Sequence, residues 1–283
     1  VIAVSTKHEA VNPIFSDFIA GAGETCSAAG YDMVLSVVSD EDEADAYRQF
    51  KARGTVDGVI LHGPRLNDPR IPLLHDIGLP FLIHGRSTGA TLPYSWLDVN
   101  NRRAFERATE FLLDLGHRRI ALVNGLESMD FAIRRRTGYE NALKSRGVAP
   151  DPTVMRSDEM TEYFGYRSAM EMLDRADPPT AFLTASLISA FGVRRALEDR
   201  GLKIGRDVSV VTHDDELSYL RNGEDVPIFT ATRSSVREAG RKTAEMLLDL
   251  IRSQSNVPVN RLLEAELMVG LSTGPVSGAA RAP

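Results

Sequence analysis

The stretch "NRRAFERATEFLLDLGHRRIALVNG" (residues 101–125) decides the fold, because it joins a helix pattern to a buried-strand pattern. Its first part places apolar side chains at helical spacing and stops at Gly116, a residue typical of helix ends. The predicted inner stripe of this helix comprises Ala104, Ala108, Phe111, Leu112 and Leu115. The cationic run His117-Arg118-Arg119 follows the helix end, where the helix dipole favours positive charge. We therefore interpret the run as a joint between helix and strand, and not as a catalytic or phosphate-binding turn.

The same alternation of strand and helix begins the chain. "VIAVST" (1–6) has the pattern of a buried strand, and Asn12 followed by Pro13 predicts a helix start whose stop is Gly30. Ser39 or Asp40 is predicted to cap the next helix, whose acidic first turn suits the helix dipole. Three more apolar runs predict strands, namely "YDMVLSVV", "VDGVILHG" (56–63) and "GLPFLIHGR" (78–86).

The second half of the chain repeats the spacing of the first. Ile2 and Gly30 are 28 positions apart, and Ile120 and Gly147 are 27 apart. Later strands are predicted at "TVMRSD", "TAFLTAS", "DVSVVTHDD", "FTATRSS" and "RLLEAELMV", and later helices at "FGYRSAMEMLDRA", "SAFGVRRALEDRG" and "VREAGRKTAEMLLDLIRS". The pattern indicates an α/β protein of two βαβ-based halves, each a doubly wound parallel sheet.

Composition narrows the class of protein. A chain of 283 residues suggests two domains or one large α/β unit. No apolar run approaches the ~18 residues of a membrane span, so we expect a soluble protein with no membrane partner. Cys26 is the only cysteine, which excludes an intrachain disulfide and fits a reducing cytoplasm. The net charge of −6 disfavours tight binding of nucleic-acid phosphates by this chain. Because Val1 replaces an initiator Met, we expect a piece of a longer protein.

No catalytic signature emerges from the motifs. "GLSTG" (270–274) matches the nucleophile-elbow pattern, but Ser272 lies near the end of the chain and the last histidine, His213, precedes it. The six histidines lack metal-ligand spacing, and "GAG" (21–23) lies inside a helix pattern without the rest of a dinucleotide fingerprint. We therefore predict no enzyme activity, no metal and no cofactor.

Two polar clusters suggest a ligand instead. Arg134, Arg135 and Arg136 fall at a predicted helix start, where cations oppose the helix dipole and need a partner. That partner is either Asp130 or solvent, or a polar ligand held by the guanidinium donors. The strand "VSVV" is followed by His213, Asp214 and Asp215, at the edge where open α/β sheets bind ligands. Helix caps or turns are the alternative role for these two carboxylates.

At these residues the chain resembles the ligand-binding core of the lac repressor (LacI) family of bacterial transcription regulators. The matching pieces are "IAVSTKHEAVNPIF", "VDGVIL", "GLPFLIHGR", "DVNNRRAFERATEFLLDLGHRRIALVNG", "RRTGYENAL", "GYRSAMEML", "PTAFLTAS", "DVSVVTHDD" and "EAGRKTAEMLLDLI". The resemblance implies a two-lobed, periplasmic-binding-protein-like type I fold, with three crossovers between lobes and an effector in the cleft. The implied lobes are 1–99 plus 235–262 and 100–234 plus 263–275, followed by a flexible tail at 276–283.

The resemblance also implies which residues bind the effector. Carried over onto this sequence, they are Asn12, Ile14, Phe15, Arg86, Arg135, Ser186, Asp214 and Arg233. Phe15 is expected to offer a stacking face to a sugar ring, and Arg135 and Asp214 to hydrogen-bond its hydroxyls from opposite walls of the cleft.

Five positions depart from the family pattern. Glu9 and Gly85 stand where the family often has Asp, and Gly270 stands where Arg is common. Ser186-Leu187 replaces an Asn-Asp pair whose Asn often reaches the effector, so Ser186 is expected to substitute for it.

The implied function is the effector-sensing and dimerisation core of a regulator that answers to a mono- or disaccharide. We expect a homodimer that contacts operator DNA only through an amino-terminal helix-turn-helix domain absent from this chain. The alternatives are a sugar-binding protein of a transport system, which shares the fold, and an enzyme on a similar scaffold.

Overall fold

The structure is a computed structural model that describes residues 2–6, 13–37, 42–213, 216–254 and 257–276. The chain divides into two compact units. Unit 1 holds residues 1–99 and 235–263, and unit 2 holds residues 100–234 and 264–283. The chain therefore passes three times from one unit to the other, and each unit is described by itself.

The elements follow one another in strict alternation through most of the chain. Unit 1 begins with β1 (Ile2–Thr6), α1 (Pro13–Ala28), β2 (Met33–Val37), α2 (Glu43–Arg53), β3 (Gly58–His62), α3 (Arg70–Ile77), β4 (Phe81–His84) and β5 (Trp96–Val99). Unit 2 follows with α4 (Asn101–Asp114), β6 (Ile120–Asn124), α5 (Asp130–Ser145), β7 (Met155–Ser157), α6 (Glu162–Leu173), β8 (Ala181–Thr184), α7 (Leu187–Asp199), β9 (Ser209–His213), β10 (Glu216–Leu217), β11 (Leu220–Arg221) and β12 (Thr230–Arg233). The chain returns to unit 1 with α8 (Val236–Ser253) and β13 (Asn260–Leu263), and to unit 2 with β14 (Glu266–Met268).

Each unit is built on one six-stranded sheet. The strand order is β13-β5-β4-β3-β1-β2 in unit 1 and β14-β12-β9-β8-β6-β7 in unit 2. All neighbours in the first sheet run parallel, and only β14 runs antiparallel to its neighbour β12 in the second. The order reverses at β1 and at β6, which is the switch point of a doubly wound sheet. The predicted fold class is confirmed.

Apolar helix faces cover both sides of each sheet. In unit 1, α1 and α8 pack on one face around Phe18 and Leu247, and Tyr47 of α2 and Leu74 of α3 pack on the other. In unit 2, α6 and α7 form one layer and α4 and α5 form the other. Burial of apolar side chains on both faces of each sheet makes the largest favourable contribution to the folding free energy of each unit.

Among the described residues, three helix pairs touch backbone to backbone through glycines, namely α1–α8, α4–α5 and α6–α7. A Cβ added to Gly21 of α1 would lie 1.9 Å from the carbonyl oxygen of Arg237 in α8. A Cβ on Gly192 of α7 would lie 1.9 Å from the carbonyl oxygen of Glu162 in α6. Since real Cβ contacts are never this short, only glycine allows the helices to approach so closely.

Residues 101–125 form the predicted joint between a helix and a strand. Gly116 has φ 92° and ends α4, and the His117 ring lies 2.9 Å from both Thr180 Oγ1 and Ser209 Oγ. Arg119 pairs with Asp151 at 2.5 Å. The side chains of His117 and Arg119 therefore connect segments of unit 2 at the amino edge of its sheet. The buried stripe of α4 is wider than predicted and includes Phe105 and Leu113, whereas Phe111 and Leu115 are only partly buried, because α5 covers this helix beside the sheet.

Several local predictions were wrong. Asp42 is the N-cap residue of α2, and the predicted caps Ser39 and Asp40 lie outside the described residues. The run "RLLEAELMV" is two strands, because β13 pairs with β5 in unit 1 and β14 pairs with β12 in unit 2. The predictions also missed α3, β5 and the β10–β11 hairpin, which are short and carry weak periodicity.

The carboxyl-terminal segment starts attached to unit 2. The backbone N–H of Val276 donates to the carbonyl oxygen of Leu115 at 3.0 Å, so the tail predicted from residue 276 does not begin free. Residues 277–283 lie outside the described residues. Among the described helices, none combines the length and apolar character that crossing a bilayer requires.

Candidate functional site

The carboxyl edge of the unit 2 sheet gathers polar side chains from successive strands. β6 ends at Asn124, β8 leads into Ser186, β9 ends at His213 and β12 ends at Arg233. Parallel strands place these ends on one edge, which is where open α/β sheets bind ligands.

Arg135 reaches this edge from the second turn of α5. Its Nε donates to Asn101 Oδ1 at 2.7 Å and one Nη donates to the Ala185 carbonyl oxygen at 2.9 Å. The guanidinium lies 5.3 Å from the ring centre of Phe105 and 4.8 Å from that of Phe131. Only 5% of the residue is exposed. Arg135 is thus a buried cation held by oxygens and aromatic faces, and not an arginine open to water.

The neighbouring arginines point elsewhere. Arg134 pairs with the buried Asp130 one turn earlier, which is one of the alternatives that the sequence left open. Arg136 pairs with Glu127 at 2.9 Å and with Glu140 at 2.8 Å on the helix surface. Of the three arginines, Arg135 is the one that hydrogen-bonds Asn101 and Ala185 at the sheet edge.

The other residues predicted in unit 2 have mixed environments. Ser186 is fully buried and is the N-cap of α7, where its hydroxyl accepts from the Ser189 N–H at 3.2 Å. Its hydroxyl therefore already serves the helix, a role that the prediction did not include. Arg233 is partly exposed and lies 3.6 Å from the carboxylate of Glu216. Asp214 lies outside the described residues.

Two further polar residues lie at this edge, of which the sequence pointed to His213, beside Asp214, and missed Asn124. Asn124 is fully buried and donates to the Ala132 carbonyl oxygen at 2.9 Å, while its Oδ1 has no hydrogen-bond partner among the described residues. A buried acceptor in this state is expected to be satisfied by a bound molecule or water. His213 Nδ1 lies 2.8 Å from Thr232 Oγ1, and burial together with nearby Arg135 lowers the pKa of His213 well below 6.5. The signal for Asn124 was available, since "VNG" ends a predicted strand.

Unit 1 presents a second polar edge. Arg86 follows β4, donates to Asp98 at 2.7 Å and lies 5.1 Å from the ring centre of Trp96. Gly85 has φ 112°, and a Cβ there would lie 2.6 Å from Pro64 Cδ, so the Asp common in the resembling family does not fit. The departure at Gly85 is therefore a backbone requirement of this chain.

The start of α1 does not present the expected stacking face. Phe15 is 2% exposed, and its ring contacts His62 and Phe18 at centroid distances of 5.0 and 6.3 Å. A sugar would reach this ring only if the side chain left the unit 1 core. Ile14 is partly buried against the same core, and Asn12 lies outside the described residues.

A pair of imidazoles at this edge was also missed. His62 ends β3 and His84 ends β4, and the strands pair them in register with ring centres 5.0 Å apart. The His84 ring also stacks on Phe18 at 4.6 Å. Burial lowers the pKa of His84 to about 4, and burial with the neighbouring His84 and Arg70 holds the pKa of His62 well below 6.5. Both imidazoles are neutral at pH 7, when each ring can donate and accept a hydrogen bond.

These lowered pKa values predict that stability falls as the pH is lowered from about 6.5 toward 4. In that pH range the histidines are protonated in the unfolded chain but remain neutral in the folded protein, so acid favours unfolding. We expect each of the two imidazoles to contribute about 1–2 kcal/mol to the loss between pH 7 and pH 5, so that His84→Gln loses correspondingly less than the wild type. Urea unfolding followed by Trp96 fluorescence at both pH values measures this difference. An equal loss in wild type and His84→Gln would contradict the assignment.

Neither edge resembles a metal or hydrolase centre. Within the described part of the chain, no three His, Cys, Asp or Glu side chains group closely enough to hold a metal ion. The Ser272 hydroxyl of the rejected elbow is fully buried, accepts from the Thr230 N–H at 2.9 Å and donates to the Val210 carbonyl oxygen. It therefore braces the unit 2 sheet.

Comparison with known proteins assigns the chain to a family. Residues 109–273 match the model of a periplasmic binding protein-like domain. The chain is 42% identical over 261 residues to the HTH-type transcriptional regulator AglR of Rhizobium meliloti, covering 92% of this chain and 73% of AglR. The chain belongs to the LacI family of bacterial transcription regulators.

Solved structures of LacI-family proteins agree with this assignment. A structure of the transcriptional regulator CelR with cellobiose superimposes with a TM-score of 0.84 at 29% identity, covering 96% of this chain and 84% of CelR. A lac repressor dimer bound to operator and the anti-inducer ONPF gives a TM-score of 0.82 at 25% identity, covering 96% and 93% of the two chains. The chain is thus the effector-binding core of a LacI-family regulator, which confirms the predicted family and function class over the transport alternative.

Proposed function

We propose that the effector of this LacI-family core is a neutral mono- or disaccharide, which contacts Arg86 in unit 1 and Arg135, Arg233 and Asp214 in unit 2. The observation that carries the proposal is the local neutralisation of Arg86 and Arg233 by carboxylates. Arg86 lies against Asp98 and Arg233 lies near Glu216. Such arginines offer directional N–H donors without the excess positive charge that an anionic ligand would select.

The surrounding groups suit hydroxyl-rich ligands. The side-chain Oδ1 of Asn124 is a buried acceptor at the unit 2 edge, and the two neutral imidazoles of unit 1 both donate and accept. Aromatic rings flank Arg135, and a sugar has both apolar ring faces and paired donor and acceptor hydroxyls. The relative CelR, with cellobiose in its solved complex, supports the same ligand class.

Removal of one guanidinium tests the proposal. Arg233→Ala is expected to weaken sugar binding about ten- to a hundred-fold, because a charged hydrogen-bond donor is lost. Asp214→Ala is expected to have an effect of similar size. Arg221→Ala is the matched control, since Arg221 pairs with Glu224 on the exposed β11 strand. Calorimetric titration with mono- and disaccharides and with their phosphates measures the affinities. Unchanged affinity in Arg233→Ala, or tighter binding of a sugar phosphate than of its parent sugar, would contradict the proposal.

We further propose that the protein acts in the cytoplasm as a homodimer. Strand β2 lies at the edge of the unit 1 sheet and exposes Val34 at 43% and Leu35 at 42%. An edge strand with exposed apolar side chains favours pairing with another chain. We propose that operator DNA is contacted by an amino-terminal helix-turn-helix domain outside this chain. The net charge of −6 opposes binding of DNA phosphates by the chain itself. Effector and operator affinities would then be linked by about 1–3 kcal/mol of coupling free energy.

Light scattering tests the dimer. The wild-type chain is expected to give twice the 31.0 kDa mass of one chain at micromolar concentration. Val34→Lys places a charge on the β2 edge and is expected to shift the mass toward the monomer. Val226→Lys, at an exposed valine of unit 2, is the control. A monomer mass for the wild-type chain at every concentration would contradict the dimer.

A further inference from the structure

Glu216 places a carboxylate beside Arg233 at the carboxyl edge of the unit 2 sheet. β9 and β12 are neighbours in this sheet, and Arg233 ends β12 while Glu216 begins β10, three residues after the end of β9. The Arg233 Nε atom lies 3.6 Å from Glu216 Oε1. This separation is longer than a direct hydrogen bond, so the ion pair leaves the carboxylate oxygens of Glu216 able to accept hydrogen bonds from a ligand.

The β10–β11 hairpin holds Glu216 at this place. Leu217, the next residue, is buried, and the alternation of a strand turns Glu216 to the opposite face. Asn222 follows the hairpin and is itself buried. It donates to the Phe229 carbonyl oxygen at 2.8 Å and accepts from the Phe229 N–H at 2.7 Å, in the segment that leads into β12. The hairpin is thus fixed relative to β12, and the carboxylate is in position before a ligand arrives.

Glu216 is open to solvent, whereas Asp98, the corresponding carboxylate of unit 1, is buried. The side chains are 47% and 5% exposed, respectively. A ligand at the unit 2 edge can therefore reach Glu216, while Asp98 is covered by its own unit. Arg221 is opposite Glu216 in the hairpin but pairs with Glu224, so the Glu216 charge acts on Arg233.

We propose that Glu216 determines the charge selectivity of the effector site, because its carboxylate accepts a hydrogen bond from a sugar hydroxyl and repels sugar acids. This inference rests on the proposed function, since it assumes that Arg233 contacts a sugar. A hydrogen bond from a hydroxyl to a carboxylate is stronger than one between neutral groups, which favours a neutral sugar. An anionic sugar would instead bring a second negative charge next to Glu216. One side chain thus contributes attraction for the neutral effector and repulsion of its acid.

Pairs of sugars that differ in charge test the proposal. Suitable probes are glucose, galactose, cellobiose and maltose, each beside the uronate in which a terminal CH2OH group is oxidised to a carboxylate. Calorimetric titration near neutral pH gives the ratio of the two affinities for each protein variant. Glu216→Gln is expected to bind the uronate about tenfold more tightly and the neutral sugar a few-fold more weakly, because the amide keeps an acceptor oxygen but removes the charge.

Glu224→Gln is the matched control. It makes the same change in net charge at an exposed residue close by in the chain, where the carboxylate pairs with Arg221. The ratio of affinities is expected to stay at the wild-type value in this variant. Because both affinities are measured on the same folded variant, a change in stability alone does not produce the result expected for Glu216→Gln.

The outcomes distinguish this inference from the proposed function. If the wild-type chain binds none of the neutral sugars, or binds a uronate more tightly than its parent sugar, the proposed function is contradicted and the role of Glu216 with it. If a neutral sugar binds but Glu216→Gln leaves the ratio of affinities unchanged, the role of Glu216 alone is overturned. An equal change of the ratio in Glu224→Gln would also overturn it, since net charge would then be the cause.

Discussion

Gly21→Ala is expected to destabilise unit 1 by at least about 3 kcal/mol, whereas Gly23→Ala, two positions along the same helix, is expected to be neutral or stabilising. The Gly21 Cβ would lie 1.9 Å from the Arg237 carbonyl oxygen, and that oxygen belongs to the backbone of α8. α1 and α8 would have to separate, and the partner position Gly240 would lose its contact with Phe18, whose carbonyl oxygen lies 2.2 Å from a Cβ placed there.

Gly23 provides a control within the same helix. Its Cβ would meet only Met33 Cε, at 3.2 Å, and a methionine end can move aside. Replacing a helix-interior glycine by alanine stabilises a helix by roughly 0.5–1 kcal/mol when no clash follows. Urea unfolding, read by circular dichroism and by Trp96 fluorescence, measures both variants. Equal stability of Gly21→Ala and Gly23→Ala would show that the two helices do not touch in this way.

Arg135→Ala is expected to destabilise unit 2 by about 2–4 kcal/mol and also to weaken sugar binding. The substitution leaves the Asn101 and Ala185 acceptors buried without their donor, and it empties the space between Phe105 and Phe131. An arginine that merely lined a water-filled cleft would leave stability unchanged, whereas Arg135 is buried.

Arg136→Ala is the matched control, one residue further along α5. Its ion pairs with Glu127 and Glu140 lie on the helix surface and are partly exposed to solvent, so its loss is expected to change stability by less than about 1 kcal/mol. Thermal and urea unfolding of both variants should be followed by sugar titration. A ligand-free stability of Arg135→Ala equal to that of Arg136→Ala would refute the structural role of Arg135, and unchanged sugar affinity would refute its binding role.

The sequence determined the elements whose signals are local. α8 occupies 236–253 as the pattern "VREAGRKTAEMLLDLIRS" predicts, because helical periodicity and a capping serine before it depend only on near neighbours. The repeated spacing of strands and helices was sufficient for the parallel α/β class, since such crossovers restrict the possible topologies. The ordered run of family motifs was sufficient for the LacI assignment.

Only the tertiary structure decided how individual side chains are used. Burial, hydrogen-bond partners and pKa values depend on residues distant in the chain, and no local pattern encodes them. The local pattern did not distinguish Arg134, Arg135 and Arg136, and the family resemblance singled out Arg135 only as a ligand contact. Packing of α5 against α4 and the sheet selected Arg135 for burial. It likewise turned Phe15 into the unit 1 core and paired His62 with His84 across β3 and β4. The division of "RLLEAELMV" between two sheets has the same cause, because strand partners are fixed by long-range hydrogen bonds and not by the composition of the strand.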